Sequence, residues 1–189
     1  MAIRQLRPVP AVHAQLEALC EETGETIGLT VLHGDSALVI DRVESVAPLR
    51  MQYGIGTLLP AHASASGKTL LAFGSGSHDV VDGRALDSFT PGTISSAERL
   101  AAELEHITRQ GYAVDREELY LGLVCLAVPV FDRFAGPVAA LGVSGPSGRM
   151  TSDRFPAPIA ALQRYARAIA PRLDGAPVPK RPAGHRKVA

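Results

Sequence analysis

Two apolar runs separated by a short turn constrain this chain more than any other feature in it. LGLVCLAVPVF at 121–131 and VAALGVS at 138–144 flank the turn DRFAGP. Short apolar runs joined in this way read as a hairpin whose strands lie at the centre of a sheet. Pro129 falls inside the first run and has no N–H to give to a ladder, so it demands a bulge or an edge position there. A second hairpin is predicted earlier in the chain. TIGLTVLH at 26–33 alternates, Gly34-Asp35 turns, and ALVIDRV at 37–43 returns. A shorter extended piece, LRMQY at 49–53, follows, and then a loop punctuated by Gly54 and Gly56 that ends at Pro60.

Helices have to cover this sheet. Val12, Leu16 and Leu19 recur at helical spacing over 10–23, and Gly24 stands as the stop. Residues 63–73, ASASGKTLLAF, read as helix after their first few positions, with Ser64 or Ser66 as the cap. The Gly-, Ser- and Asp-rich stretch 74–94 reads as loop with a short helix near 78–87. A helix over 96–110 opens on a capping box of Ser95 and Glu98, presents Leu100, Leu104 and Ile107 on one face, and ends at Gly111. A last helix spans about 156–172, with Ile159, Leu162, Ala166 and Ile169 in one stripe. Hairpins interrupted by helices predict an α+β fold with a largely antiparallel sheet. One domain takes in 1–173, and the Pro- and Lys/Arg-rich residues 174–189 read as a disordered tail.

Charge excludes one class of function for the body of the chain. Nineteen basic and nineteen acidic residues cancel overall. Residues 175–189 carry Lys180, Arg181, Arg186 and Lys187 and no acid, which leaves fifteen bases against nineteen acids before them. A nucleic-acid-binding domain needs a basic face, and this body offers none, so only weak, salt-sensitive adhesion through the tail is expected. Cys20 and Cys125 are the only cysteines, the first ten residues lack a signal-peptide core, and no stretch approaches a membrane span. The expectation is a cytoplasmic protein with reduced thiols.

The motifs of catalysis are incomplete. Gly67-Lys68-Thr69 suggests a phosphate loop, but His62 stands where that loop needs its first glycine. Cys125 lies in an apolar strand, where a thiol is normally protonated and inert, so a packing role is expected ahead of a nucleophilic one. The enzyme alternative is a hydrolase pairing Cys125 with His62. The six histidines are scattered, and neither a metal nor a cofactor is expected. Asp115, Glu117 and Glu118 read either as a solvated turn or as an acid/base set, with Asp115 set apart because Tyr112-Ala113-Val114 leads it into the sheet.

Three segments in order resemble the effector-binding domain of the IclR family of transcriptional regulators. They are LPAHASASGKTLLAF at 59–73, the run from Thr90 to Asp132 that contains GYAVDREELYLGLVCLAVPV, and ALGVSGPSGRMT at 140–151. The resemblance implies a GAF-like curved, largely antiparallel sheet with helices on both faces. It also implies a small organic acid bound on one face, a homodimer or tetramer, and no enzymatic activity.

Carried over by motif position, Ala65 and Ser66 would offer backbone amides to a carboxylate. Asp115 would meet the ligand's hydroxyl or carbonyl end, and Cys125, Gly142 and Ser144 would face the pocket from the strands. Met51, Leu59 and Leu123 would form an apolar rim. Gly142 departs from the hydroxyl that the family can carry there, which is expected to enlarge the pocket and leave room for a larger or aromatic acid. Members of the family also carry a winged helix-turn-helix for DNA, and no such pattern precedes the first helix here. The alternatives are a stand-alone small-molecule sensor or a module that only makes protein contacts.

Overall fold

The computed structural model describes residues 9–48, 53–74, 85–134 and 136–173. Helix α1 (Pro10–Thr23) buries Val12, Leu16 and Leu19 and stops at Gly24, whose φ of 71° is open to glycine at little cost. The first hairpin is β1 (Thr26–His33) with β2 (Ser36–Val43), paired antiparallel from Ile27–Val43 to His33–Ser36. A register shift at Leu29/Thr30 leaves Ile40 as the extra residue of a bulge.

A short edge strand, β3 (Leu58–Pro60), pairs with β2. The loop expected to end at Pro60 therefore becomes strand before it ends. Next come a 3-10 turn at Ala61–Ala63 and helix α2 (Ala65–Phe73), capped by Ser64, whose hydroxyl accepts from the Gly67 amide.

Helix α3 (Ala97–Gln110) begins one residue later than the expected capping box required. Ser96 is the cap and accepts from the Arg99 amide, so neither Ser95 nor Glu98 plays the role assigned to it. The apolar face of Leu100, Leu104 and Ile107 is as expected, and its phase does not depend on which serine caps.

Strands β4 (Ala113–Arg116), β5 (Leu123–Phe131) and β6 (Pro137–Pro146) complete an antiparallel six-stranded sheet in the order β3-β2-β1-β6-β5-β4. β5 starts at Leu123 rather than 121, because residues 117–122 turn back over the sheet. Pro129 is accommodated as its chemistry demands. β4 pairs only with residues 124–127 of β5, so Pro129 has a partner on the β6 side alone, and a register irregularity follows at Val130/Phe131. Helix α4 (Pro156–Leu173) closes the chain's described part. LRMQY falls mostly on residues outside the description, as do most of the short helix expected near 78–87 and the basic tail.

The sheet curls, and helices pack on both of its faces. On one side α1 and α4 meet Ile27, Leu29, Val31, Leu126, Leu141 and Val143 in the larger core. On the other, α2 and α3 pack over Ala113, Ala127 and Ala140, where the sheet carries mostly small residues. Small side chains let α2 lie close to the strands. A β-carbon on Gly67 would come within 2.3 Å of the Ala61 Cα, so the glycine of Gly67-Lys68 serves close packing of this helix start.

Candidate functional site

On the α2 side of the sheet the strand register builds two rows. Thr26, Ser144, Cys125 and Asp115 are successive partners across β1, β6, β5 and β4. One step along, Arg42, Gly28, Gly142, Ala127 and Ala113 are partners across β2, β1, β6, β5 and β4. Side chains two apart share a face, so a polar row lies beside an almost bare one. A half-open recess of about 30 Å³ sits over both rows.

Its lining contains eight of the nine residues singled out from sequence: Leu59, Ala65, Ser66, Asp115, Leu123, Cys125, Gly142 and Ser144. Met51 lies outside the described residues. Tyr53, Gly28, Leu119 and Tyr120 also line it and were missed. Gly28 left a readable trace, since a lone glycine inside a strand marks a close approach. Tyr53 left none.

The roof is the start of α2. Ala65 and Ser66 follow the Ser64 cap, and among the described residues no protein acceptor meets their amides. These donors and the positive end of the helix face the recess. Across from them, Ser144 is 4% exposed and, among the described residues, its Oγ has no hydrogen-bond partner. The Tyr53 phenol is close by, but not at a geometry that satisfies that hydroxyl. A buried hydroxyl left without a partner costs on the order of 1–3 kcal/mol, which a ligand oxygen would return.

Asp115 is 2% exposed and therefore no part of a solvated turn. Its Oδ1 accepts from the Glu118 amide at 2.7 Å and so holds the 117–122 turn over the recess. Burial pushes its pKa up to about 7, and the Glu118 charge adds to this, while the Glu118 amide and Lys68 work against it. Glu118 is buried as well, so the solvated-turn reading fails there. Lys68, fully buried, donates to Glu118 Oε1 at 2.6 Å and to the Val114 carbonyl at 2.8 Å, with Glu103 at 3.4 Å. The lysine of the apparent phosphate loop is thus consumed in an internal ion pair.

Cys125 is partly exposed to the recess rather than sunk in the core. Burial pushes its thiol well above the ordinary value, and the charges of Asp115 and Glu118 add to that. A thiol so held is a poor nucleophile. The base proposed for it is elsewhere. His62 Nε2 bonds the Asp87 carbonyl at 2.9 Å, its ring packs against Phe89, and it does not line the recess. Among the described residues no group of three or more His, Cys, Asp or Glu could hold a metal ion, and no helix is long and apolar enough to cross a membrane.

Gly142 was expected to enlarge the pocket, and part of the space it leaves is occupied. A β-carbon there would stand 3.1 Å from Ser66 Oγ, so the serine hydroxyl sits in that space. A larger recess of about 320 Å³ lies across the sheet, between Glu25, Arg149, Arg154 and Phe155. Arg149 there binds Glu25 through both nitrogens at 2.5 and 2.8 Å, so its main charges already satisfy one another.

Comparison with known proteins identifies the family and the fold. Residues 2–171 match the family described as bacterial transcriptional regulator IclR C-terminal. The chain is 40% identical over 147 residues to the transcriptional repressor IclR of Escherichia coli, covering 76% of this chain and 54% of that one. It is 35% identical over 174 residues to the HTH-type transcriptional regulator KdgR of Escherichia coli, covering 91% and 66%. The crystal structure of Thermotoga maritima IclR superposes with a TM-score of 0.83 at 32% identity, over 90% of this chain and 70% of that one. The match thus spans little more than half, or about two thirds, of the two curated relatives' lengths.

Proposed function

This chain belongs to the IclR family of bacterial transcriptional regulators, whose C-terminal domain it matches, and on that premise we propose that its recess is the effector site, where a small carboxylic acid binds. The observation that carries the reading is the pairing of unmet donors with an orphan hydroxyl. The Ala65 and Ser66 amides and Ser144 Oγ belong to the lining of one recess, and among the described residues none of the three has a protein partner. A carboxylate fits the amide end, where the helix start favours an anion. A hydroxyl or carbonyl fits the Ser144 and Asp115 end, because a second charge beside Asp115 is repelled. Leu59 and Leu123 supply the apolar rim.

The ligand's role follows from linkage. An acid that binds one arrangement of a regulator better than another shifts the balance towards it, and with it the affinity for DNA. Assembly as a homodimer or tetramer and a cytoplasmic setting belong to the same proposal. The hydrolase alternative has no observation in its favour, since Cys125 and His62 do not meet.

Thermal melting against a panel of small carboxylic acids tests the reading. An acid at one hundred times its Kd adds about 2.7 kcal/mol, which moves the midpoint by several degrees in a domain of this size. The shift should shrink in Ser144→Ala. A midpoint that no carboxylate moves would defeat the proposal.

A further inference from the structure

The small size of the recess has a structural origin that names a residue. Gly28 and Gly142 are direct partners across β1 and β6, so the sheet floor is bare backbone at this point. Bare floor should leave room for a large ligand. Instead the room is taken from above. The Tyr53 hydroxyl lies 3.2 Å from where a Gly28 β-carbon would be, and Ser66 Oγ lies 3.1 Å from the same point on Gly142. What remains is a half-open recess of about 30 Å³, whereas a cavity that takes up benzene measures roughly 150 Å³.

Tyr53 is held in place. Its ring lies under the Arg42 guanidinium at 4.3 Å, and it packs against the cluster around Val39, Leu59 and Leu119. The turn after it is tied to β2 by Gly56 N to Val39 O at 2.8 Å and Val39 N to Thr57 O at 2.9 Å. Among the described residues the recess has no Lys, Arg or His in its lining, so the amides at the start of α2 serve a single carboxylate and nothing there serves a second.

Resting on the effector reading above, we propose that Tyr53 is the specificity-determining residue of this pocket: its phenol, seated on the Gly28–Gly142 floor, restricts the effector to monocarboxylic acids of a few carbons and shuts out aromatic acids. Shortening Tyr53 exposes the bare floor as a flat surface on which a ring can lie.

The experiment is calorimetric binding of acetate, lactate, succinate and benzoate to the wild-type chain, to Tyr53→Ala and to Tyr53→Leu. Circular dichroism establishes that each variant folds, and the leucine variant serves if the alanine one does not. Wild type should prefer lactate to benzoate by about tenfold or more, and the variants should reverse or erase that ranking by gaining at least about tenfold for benzoate. Wild type binding benzoate as tightly as lactate overturns the assignment, and so does an unchanged ranking in the variants while lactate still binds. If no acid binds any of the proteins, the effector reading itself falls.

Discussion

Asp115 shows what a single residue contributes beyond occupying a place in the lining. Its carboxyl titrates near 7 instead of 3.8 because burial removes water from it, with Glu118's charge adding to the shift. Between roughly pH 4 and pH 7 the folded chain therefore holds a proton that the unfolded chain has released. More protons bound in the folded state means that stability falls as pH rises through that window. An acid in the recess brings further negative charge, which holds the proton more firmly, so binding should draw in a proton and strengthen below about pH 7. Calorimetry at pH 7.5 in buffers of different ionisation heat should report proton uptake for the wild type and none for Asp115→Asn. Identical heats in all buffers for the wild type would remove the charge argument. Lys68 shows the limit of reading residues singly. Beside Gly67 and Thr69 it looks like a phosphate ligand, yet its partners Glu118 and Val114 lie about fifty positions away in the chain.

Element boundaries were legible wherever a local stop was written in the chain. Gly24 and Gly111 end α1 and α3 in left-handed conformations, φ 71° and 84°, which no other residue adopts so cheaply. Starts were harder. Ser95 and Ser96 are both good caps, and only the direction in which the chain enters α3 decides between them. Ser96→Ala should cost about 1 kcal/mol in urea unfolding, the usual value of a lost cap, while Ser95→Ala should cost a few tenths at most. Equal losses would mean that the serines share the role. For Glu118 the solvated-turn reading fails, although charge density on a short segment ordinarily means exposure. Here Asp115 caps its own turn and Glu118 meets Lys68, so burial is compensated.

At the scale of the whole molecule, one sheet joins two cores of different character. The α1 and α4 side is built mostly from large aliphatic side chains, whereas on the α2 and α3 side alanines such as Ala113, Ala127 and Ala140 on the sheet meet Leu71, Leu100, Leu104 and Ile107 from the helices. Both depend on β1 and β6 at the sheet centre, so neither should survive the other's loss. The chain has four tyrosines and no tryptophan, with Tyr53 over the recess and Tyr165 against the larger core. Unfolding followed by tyrosine fluorescence and by far-UV circular dichroism should coincide in one transition, and two separated transitions would show that the faces come apart independently. The sequence by itself determined the main helices, the two hairpins, the antiparallel sheet, and, through the family resemblance, the helical cover on both faces and eight of the residues that meet at the recess, because periodicity, turn chemistry and a family's spacing are local properties of the chain. Tertiary structure alone decided that Gly28 stands opposite Gly142, that Tyr53 and Ser66 fill the space those glycines leave, and that Lys68 is spent on Glu118. Each of these is a contact between distant segments, and strand register and side-chain packing, rather than the identity of either residue, determine whether it forms.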